Sequence, residues 1–249
     1  MPGLRTSVLS IAGYDPSGGA GLLADIKTFE AHKVLGMGVC TALTFQNDRE
    51  FEALQWTQAD DIIRQIEILQ RQFQFKYAKI GLIESLEVLG QVIDYMKVKT
   101  PSTRIILDPI FKASAGFDFH QEISQEKFLE IAGKLYLITP NWTEIQQIFP
   151  EKEAQEGAKE LSLFCKVYLK GGHNPMDLGK DFLYHQDKIY PLNPKTKNPS
   201  PKHGSGCVLS SAITANLAKE YPLLKACLKA KTYISRFLDS NPTLLGYHP

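Results

Sequence analysis

Apolar residues fall along this chain in two alternating rhythms. Short aliphatic or β-branched runs at Ser7–Ala12, Gly38–Thr44, Lys79–Ile83, Ile105–Asp108, Leu135–Thr139 and Lys166–Lys170 mostly end at polar or Gly/Pro positions and predict strands. Between them the spacing changes to three and four. Leu22, Ile26 and Phe29 make one helical face, Ile62, Ile66 and Leu69 a second, and Val88, Val92 and Met96 a third with Ser85 placed as its N-cap. Asn141 precedes a short helix with Glu144 in the capping-box position. Leu209, Ile213 and Leu217, with Ala212 and Ala218 beside them, predict a helix over Val208–Glu220. Phe182–Tyr184 and Lys188–Leu192 flank Gln186-Asp187 and predict an appended hairpin. Strands alternating with helices predict an α/β fold, a mostly parallel sheet covered on both faces.

Composition narrows the class. The chain has 249 residues, 43% of them hydrophobic and 22% charged, enough for a sizeable core in a single domain over residues 1–249. No repeat, low-complexity tract or clear linker interrupts it. Asn193–Lys202, with Pro194, Pro199, Pro201, Lys195, Lys197 and Lys202, is expected to be a surface loop. Lys+Arg number 28 against Asp+Glu 27, a balance that argues against a nucleic-acid or membrane-surface binder. Cys40, Cys165, Cys207 and Cys227 lack metal-ligand spacing, so reduced thiols in a cytoplasmic protein are expected. Ser7–Ala12 leads into Gly13-Tyr14-Asp15-Pro16 as a strand enters a loop, unlike a signal peptide, and no run approaches the roughly 20 apolar residues of a spanning helix. His32, His120 and His185 are expected on the surface.

Ligands of open α/β sheets bind at the carboxyl ends of the strands. The residues there are Gly13, Asp15, Ser17, Gly18 and Gly19; Gln46 and Asn47; Leu82 and Glu84; Asp108, Pro109 and Lys112; Asn141 and Glu144; and Lys170, Gly171, Gly172 and His173. His203-Gly204-Ser205-Gly206-Cys207 joins them. Glycines at a helix start let a ligand approach the free amides, and the helix dipole favours an anion there. The same field lowers a first-turn cysteine from its ordinary pKa of about 8.5 and makes thiolate chemistry possible. On its own this segment fits a tight turn before a buried helix equally well. Asp15-Pro16-Ser17-Gly18-Gly19-Ala20-Gly21 is a second glycine-rich turn, matching neither phosphate-loop nor dinucleotide spacing. It reads as a strand-to-helix turn or a pocket floor. Asp25, one to two turns into the following helix, is a solvated charge unless it faces the pocket. Asp108 and Glu144 together could hold Mg2+ through water, although each alone could simply cap a local turn. Glycines after Lys170 would let a phosphate approach it.

In that order these segments resemble the ribokinase-like superfamily. They resemble more closely the bifunctional hydroxymethylpyrimidine/phosphomethylpyrimidine kinases of thiamine biosynthesis. The resemblance runs through Ile11–Gly21 with Ala24–Phe29, Thr41–Thr44 with Gln46-Asn47, Lys79-Ile80-Gly81, Asp108-Pro109, Thr139-Pro140-Asn141 with Glu144, Lys170–His173, and His203–Cys207 with Leu209–Ile213. It implies a ribokinase-like three-layer sandwich and phosphorylation, by ATP with Mg2+, of the pyrimidine's hydroxymethyl group and then of the monophosphate. By position, Gly13, Asp25, Gln46 and Leu82 would bind the pyrimidine. Asn141, Lys170 and Gly172 would bind ATP, and Asp108 and Glu144 the metal. Gly204, Ser205 and Gly206 would form the anion hole, with Cys207 as the base. A homodimer is implied. Tyr14, Phe45 and Leu82 depart from the family pattern, as does Asp48-Arg49-Glu50-Phe51, and these changes fall on the substrate side. A pyridoxal/pyridoxine kinase and a non-catalytic pyrimidine-precursor binding protein are the alternatives.

Overall fold

A computed structural model describes residues 5–111, 123–196 and 199–249. Lys112, His120 and Lys197 lie outside the described residues. Nine strands among those described form one sheet in the order β3-β2-β1-β4-β5-β6-β7-β8-β9. The chain runs β1 (Ser7–Tyr14), α1 (Gly21–Ala31), β2 (Leu35–Gln46), β3 (Phe51–Trp56), α2 (Ala59–Gln70), β4 (Tyr77–Ile80), α3 (Leu86–Lys99) and β5 (Arg104–Leu107). It continues through α4 (Gln125–Ala132), β6 (Leu137–Ile138), α5 (Trp142–Ile148), α6 (Ala154–Leu161), β7 (Lys166–Leu169), β8 (Asp181–His185), β9 (Lys188–Leu192), α7 (Ser205–Ala218) and α8 (Leu223–Leu238). From β2 to β7 neighbouring strands are parallel; β3 at one edge and the β8–β9 hairpin at the other are antiparallel.

Strand alternation sorts the core into two layers. Leu9, Ile11, Ala78, Ile80, Ile105, Leu107, Val167 and Leu169 pack on the face covered by α2 to α6. Val8, Tyr77, Ile106, Leu137 and Tyr168 point the other way, onto α1, α7 and α8. The result is the α/β three-layer sandwich expected. Sequential strands lie on opposite sides of β1, with β2 on one and β4 on the other. That reversal of winding opens a crevice at the carboxyl ends of the strands.

Several elements differ from the sequence expectation. β3 is an additional edge strand, entered through a turn in which Asn47 Oδ1 accepts the Arg49 and Glu50 amides at 2.8 and 2.9 Å. Helix α7 begins at Ser205, so Ser205, Gly206 and Cys207 belong to its first turn. It is buried on all sides from Cys207 to Ala218, which the single face Leu209–Ile213–Leu217 does not convey. The Ser85 cap is present, its Oγ accepting the Val88 amide at 3.2 Å. His32 is half-buried, stacked near Tyr233 with ring centroids 4.4 Å apart, and His185 is half-buried as well. Among the described residues, no helix is long and apolar enough to cross a membrane.

Candidate active site

A cavity of ≈ 730 Å³ opens at the strand ends around β1, β4 and β5. Its floor is built by the two glycine-rich turns, which interlock. Gly21 has φ +55°, and a Cβ there would stand 2.2 Å from the Gly13 carbonyl oxygen. Gly204, the N-cap of α7, has φ +70°, and a Cβ there would meet the Gly19 carbonyl oxygen at 2.1 Å. Only glycine permits both the left-handed backbone and this approach. Asp15 fastens the pair: its carboxylate accepts the Ser17 amide at 2.9 Å and the Ala20 amide at 2.8 Å, and lies 2.8 Å from His203 Nε2. The C-terminal segment backs them, with the His203 amide on the Leu244 carbonyl at 2.9 Å. Gly204, Ser205, Gly206 and Cys207 line the cavity; first-turn amides of a helix have no intrahelical partners, and that of Ser205 donates to the Lys202 carbonyl at 3.4 Å.

A chain of charges lies beside the first turns of α7, where a Cβ at Gly206 would stand 3.4 Å from Lys170 Nζ. Lys170 Nζ donates to Asp108 Oδ1 at 2.6 Å and lies 3.5 Å from Glu144 Oε2. Asp108 also accepts from Thr139 Oγ1 at 3.1 Å and Ser210 Oγ at 2.9 Å. Burial opposes its charge, but Lys170 and Lys79 outweigh burial and hold the carboxyl below the usual range. Glu144 completes the capping box expected of it, its Oε2 accepting the Asn141 amide at 2.6 Å. Burial pushes its pKa up to about 7 despite Lys170, and the neighbouring Asp108 charge adds to the rise.

Cys207 lines the cavity at 7% exposure. The thiolate-favouring field expected of the helix start does not prevail there. Burial pushes the thiol up to about 11; Lys79 and the Gly21 amide oppose the rise, whereas Asp108 and Asp25 add to it. The helix N-terminus contributes its dipole, but desolvation of a thiolate inside the protein is the larger effect.

Gly13, Gln46, Leu82, Asp108, Asn141, Glu144, Lys170, Gly172, Gly204, Ser205, Gly206 and Cys207 all line this one cavity. Asp25 is the exception and its expected contact with substrate is corrected. It is fully buried beneath the floor, where it accepts from Ser10, Lys79 and Ser211, each at 2.6 Å. Ser10 and Lys79 alternate onto the α7 face of the sheet, so a buried polar layer needs this carboxylate as its common acceptor. Tyr14 and Phe45 likewise stay out of the lining. The strand period places Thr44 and Gln46 inward and leaves Leu43 and Phe45 47% and 54% exposed. Of the substrate-side departures, Asp48-Arg49-Glu50-Phe51 included, Leu82 alone lines the cavity, and a Cβ at Gly13 would lie 2.9 Å from its Cδ2. Gln46 Nε2 donates to Thr44 Oγ1 at 2.9 Å, which presents the rest of the amide to a ligand.

Sequence reasoning gave no role to Lys79, Asp181, His203 or Lys231. Asp181 accepts from Lys231 Nζ at 2.6 Å, Tyr168 Oη at 2.5 Å and the Gly171 amide at 2.6 Å, and so pins the turn after Lys170. For Lys79 and Lys231 the signal was a charged residue inside an apolar pattern, which marks a buried partner without naming it; Asp181 at a strand start and His203 in a polar, proline-rich segment carried no such signal.

The donor set bears on Mg2+. Among the described residues, no group of three His, Cys, Asp or Glu side chains could hold a metal directly. Two carboxylates beside Lys170 in this cavity fit a hydrated Mg2+, which keeps several waters and takes one or two carboxylates plus phosphate.

Residues 15–248 match the family described as phosphomethylpyrimidine kinase. The chain is 34% identical over 248 residues to the hydroxymethylpyrimidine/phosphomethylpyrimidine kinase of Aquifex aeolicus, covering 95% of each chain. It is 33% identical over 254 residues to that of Haemophilus influenzae, covering 96% of this chain and 93% of the relative. Among solved structures it is similar to a phosphomethylpyrimidine kinase from Clostridium difficile, with TM-score 0.79 and 30% identity over 93% of this chain and 99% of the other. It is also similar to a Bacillus subtilis pyridoxal kinase solved as an ADP complex, with TM-score 0.81 and 26% identity over 94% and 92%.

Proposed function

The chain belongs to the phosphomethylpyrimidine kinase family and is a kinase, and we propose that it uses ATP to phosphorylate hydroxymethylpyrimidine and then the monophosphate so formed. The observation that carries this reading is the convergence on one cavity of Gly13, Gln46 and Leu82, of Asp108, Asn141, Glu144 and Lys170, and of Cys207 in the first turn of α7. Gly13, Gln46 and Leu82 frame the ring. Asn141, Lys170 and Gly172 face the nucleotide. Asp108 and Glu144 would hold Mg2+ through water, where it would neutralise phosphate charge.

Phosphoryl transfer passes through a loose transition state, so positioning and charge neutralisation matter most. The amides of Gly204, Gly206 and Cys207 supply fixed donors beside Ser205, whose own amide is held by the Lys202 carbonyl, and Lys170 supplies a cation 3.4 Å from where a Gly206 Cβ would stand. Cys207 is the group we assign to receive the hydroxyl proton. Its thiol is neutral in the ligand-free pocket, so it serves as base only after giving up its own proton. Lys79, beneath the floor, favours that form.

A second reading, pyridoxal kinase, is supported by the likeness to the Bacillus subtilis structure. Purified protein assayed with ATP, Mg2+ and each alcohol separates the two. Greater catalytic efficiency on hydroxymethylpyrimidine, with mono- and diphosphate as products, supports the first; greater efficiency on pyridoxal replaces it. We further place the protein in the cytoplasm as a homodimer built from a single domain. Four free cysteines and the exposed Leu43 and Phe45 beside the β3 edge support that form. Sedimentation at twice the monomer mass would bear it out, and a monomer at micromolar concentration would reject it.

A further inference from the structure

Residues 241–248 form no helix or strand, and none of them lines the cavity. They are nevertheless fastened to both glycine turns of its floor. Lys202 makes the first tie. It is 7% exposed, and its ammonium donates to the Asn241 carbonyl, to Asn241 Oδ1 at 3.2 Å and to the Thr243 carbonyl at 2.7 Å. An ammonium has three donors, so all of them are spent on this segment. Burying a charge is costly unless its hydrogen bonds are met, and here residues 241–243 meet them. The next residue makes the second tie, the His203 amide donating to the Leu244 carbonyl at 2.9 Å.

The third tie is a close fit. Gly19 lies between the His203 ring and Leu245: a Cβ there would stand 2.6 Å from His203 Cδ2 and 2.7 Å from Leu245 Cδ2. The far end is anchored away from the floor. Gly246 lies against the Phe237 ring, and His248 Nδ1 is 3.0 Å from Tyr233 Oη and 3.4 Å from Thr28 Oγ1, on α8 and α1. The segment buries little of its own. Leu245 is 36% and Tyr247 71% exposed, so its hold depends on these few ties, as in segments that open locally.

All the ties reach the same side of the site. Asp15, Ala20 and Gly21 of the first turn line the cavity, as do His203 and Gly204 of the second, and α7 starts directly after them. No hydrogen bond joins residues 241–248 to Asn141, Lys170 or Gly172 among the described residues. We propose that residues 241–248 are a positioning strap for phosphoryl transfer, setting the two glycine turns and the first turn of α7 against the acceptor, with Lys202 as the positioning residue that joins strap to floor. This rests on the kinase reading above and deepens it. Transfer depends on the placement of the reacting groups, and a displacement of about 1 Å can cost about 10²-fold in rate. The strap therefore acts on the rate without touching a ligand.

Two variants loosen the strap from opposite ends. Lys202→Met keeps the stem and removes all three bonds, and Lys202→Arg restores donors. Gly246→Val puts a side chain against the buried Phe237 ring, where a Cβ alone would stand 2.7 Å from Cε2. Three quantities are read well below the unfolding midpoint: hydrogen exchange of the His203 amide, kcat on hydroxymethylpyrimidine, and the dissociation constant of ATP. In Lys202→Met and Gly246→Val, exchange is expected to quicken and kcat to fall, each about 10-fold or more, with ATP affinity within about twofold of wild type. Lys202→Arg should recover most of kcat. Faster exchange with wild-type kcat would make the strap a packing element only and overturn the proposal. Unchanged exchange in both variants, or equal losses of kcat and ATP affinity, would overturn it as well. If wild-type protein phosphorylates no alcohol, the kinase reading fails on its own, and exchange at His203 still decides whether the strap holds the floor. Should the variants not fold, exchange of the His203 and Tyr247 amides is compared in wild-type protein with and without hydroxymethylpyrimidine and ADP. Slowing of both amides supports the coupling, and unmoved rates overturn it.

Discussion

Cys207 sits in opposing fields, and the balance between them sets how it can act. Burial pushes its thiol up to about 11 while Lys79 draws it down. If it is the base, kcat/KM keeps rising as pH climbs from 7 toward 10, because that profile reports the free enzyme's base. Cys207→Ala should abolish this rise and lower kcat about 10²- to 10⁴-fold, with ATP affinity and thermal unfolding near wild type. Near-normal turnover in that variant would remove Cys207 from the mechanism. Glu144 gives a second residue-scale test. Its pKa of about 7 in the fold exceeds the ordinary 4.5, so between those values the native state holds a proton the unfolded chain has lost. Stability therefore falls as pH rises across that window, and the loss is complete above 7. In metal-free buffer, the unfolding midpoint of Glu144→Gln should exceed wild type increasingly from pH 5 to 8; a constant difference would contradict the assignment. The motif residues themselves were legible in the sequence. The direction of the Cys207 shift was not, because the helix dipole is a local property, whereas desolvation and the charges of Asp25, Lys79 and Asp108 arrive from other elements.

At the scale of elements, the site depends on two turns that fit each other and on the polar layer beneath α7. Gly204→Ala forces a side chain into the left-handed region and against the Gly19 carbonyl. It should lower stability by at least about 1–3 kcal/mol in urea unfolding and weaken nucleotide binding as well. Wild-type stability would show that the turns are not interlocked. Lys79 and Asp25 form a fully buried pair at 2.6 Å. Lys79→Met alone should cost about 3–5 kcal/mol by stranding the carboxylate, and the double variant Lys79→Met/Asp25→Leu should recover part of that loss. Additive losses would mean the pair is not coupled. All six parallel strands and four of the helices could be read from periodicity, and α5 from its capping box. The set lacked β3, α4, α6 and α8. β3 lies at the sheet edge with no buried side chain, so Phe51–Trp56 is short and lacks a clear one-sided alternation. The period of α8 at Ala226, Ala230, Ile234 and Phe237 was available, but the lysines between its apolar positions mask it. Asp25 was misplaced for a related reason: its helix position was right, yet sequence spacing cannot tell a cavity wall from the layer beneath it.

For the whole molecule, the reversal of winding at β1 places the glycine turn after β1, Leu82 after β4 and Asp108 after β5 around one crevice. Helix α7, buried on all sides, brings its N-terminus to the same place. No single motif specifies that arrangement, and it follows from strand order. Under the proposed assignment, Gly13, Gln46 and Leu82 on the acceptor side and Asn141, Lys170 and Gly172 on the nucleotide side are two halves of this one cavity. The central claim is that these halves serve one phosphoryl transfer onto a pyrimidine alcohol. The most direct measurement is a product-resolved assay of the purified protein with ATP, Mg2+ and hydroxymethylpyrimidine, run beside pyridoxal. The account predicts ADP formed in step with pyrimidine monophosphate and then diphosphate, at an efficiency exceeding that on pyridoxal. Absence of ADP and of any phosphorylated pyrimidine would contradict it.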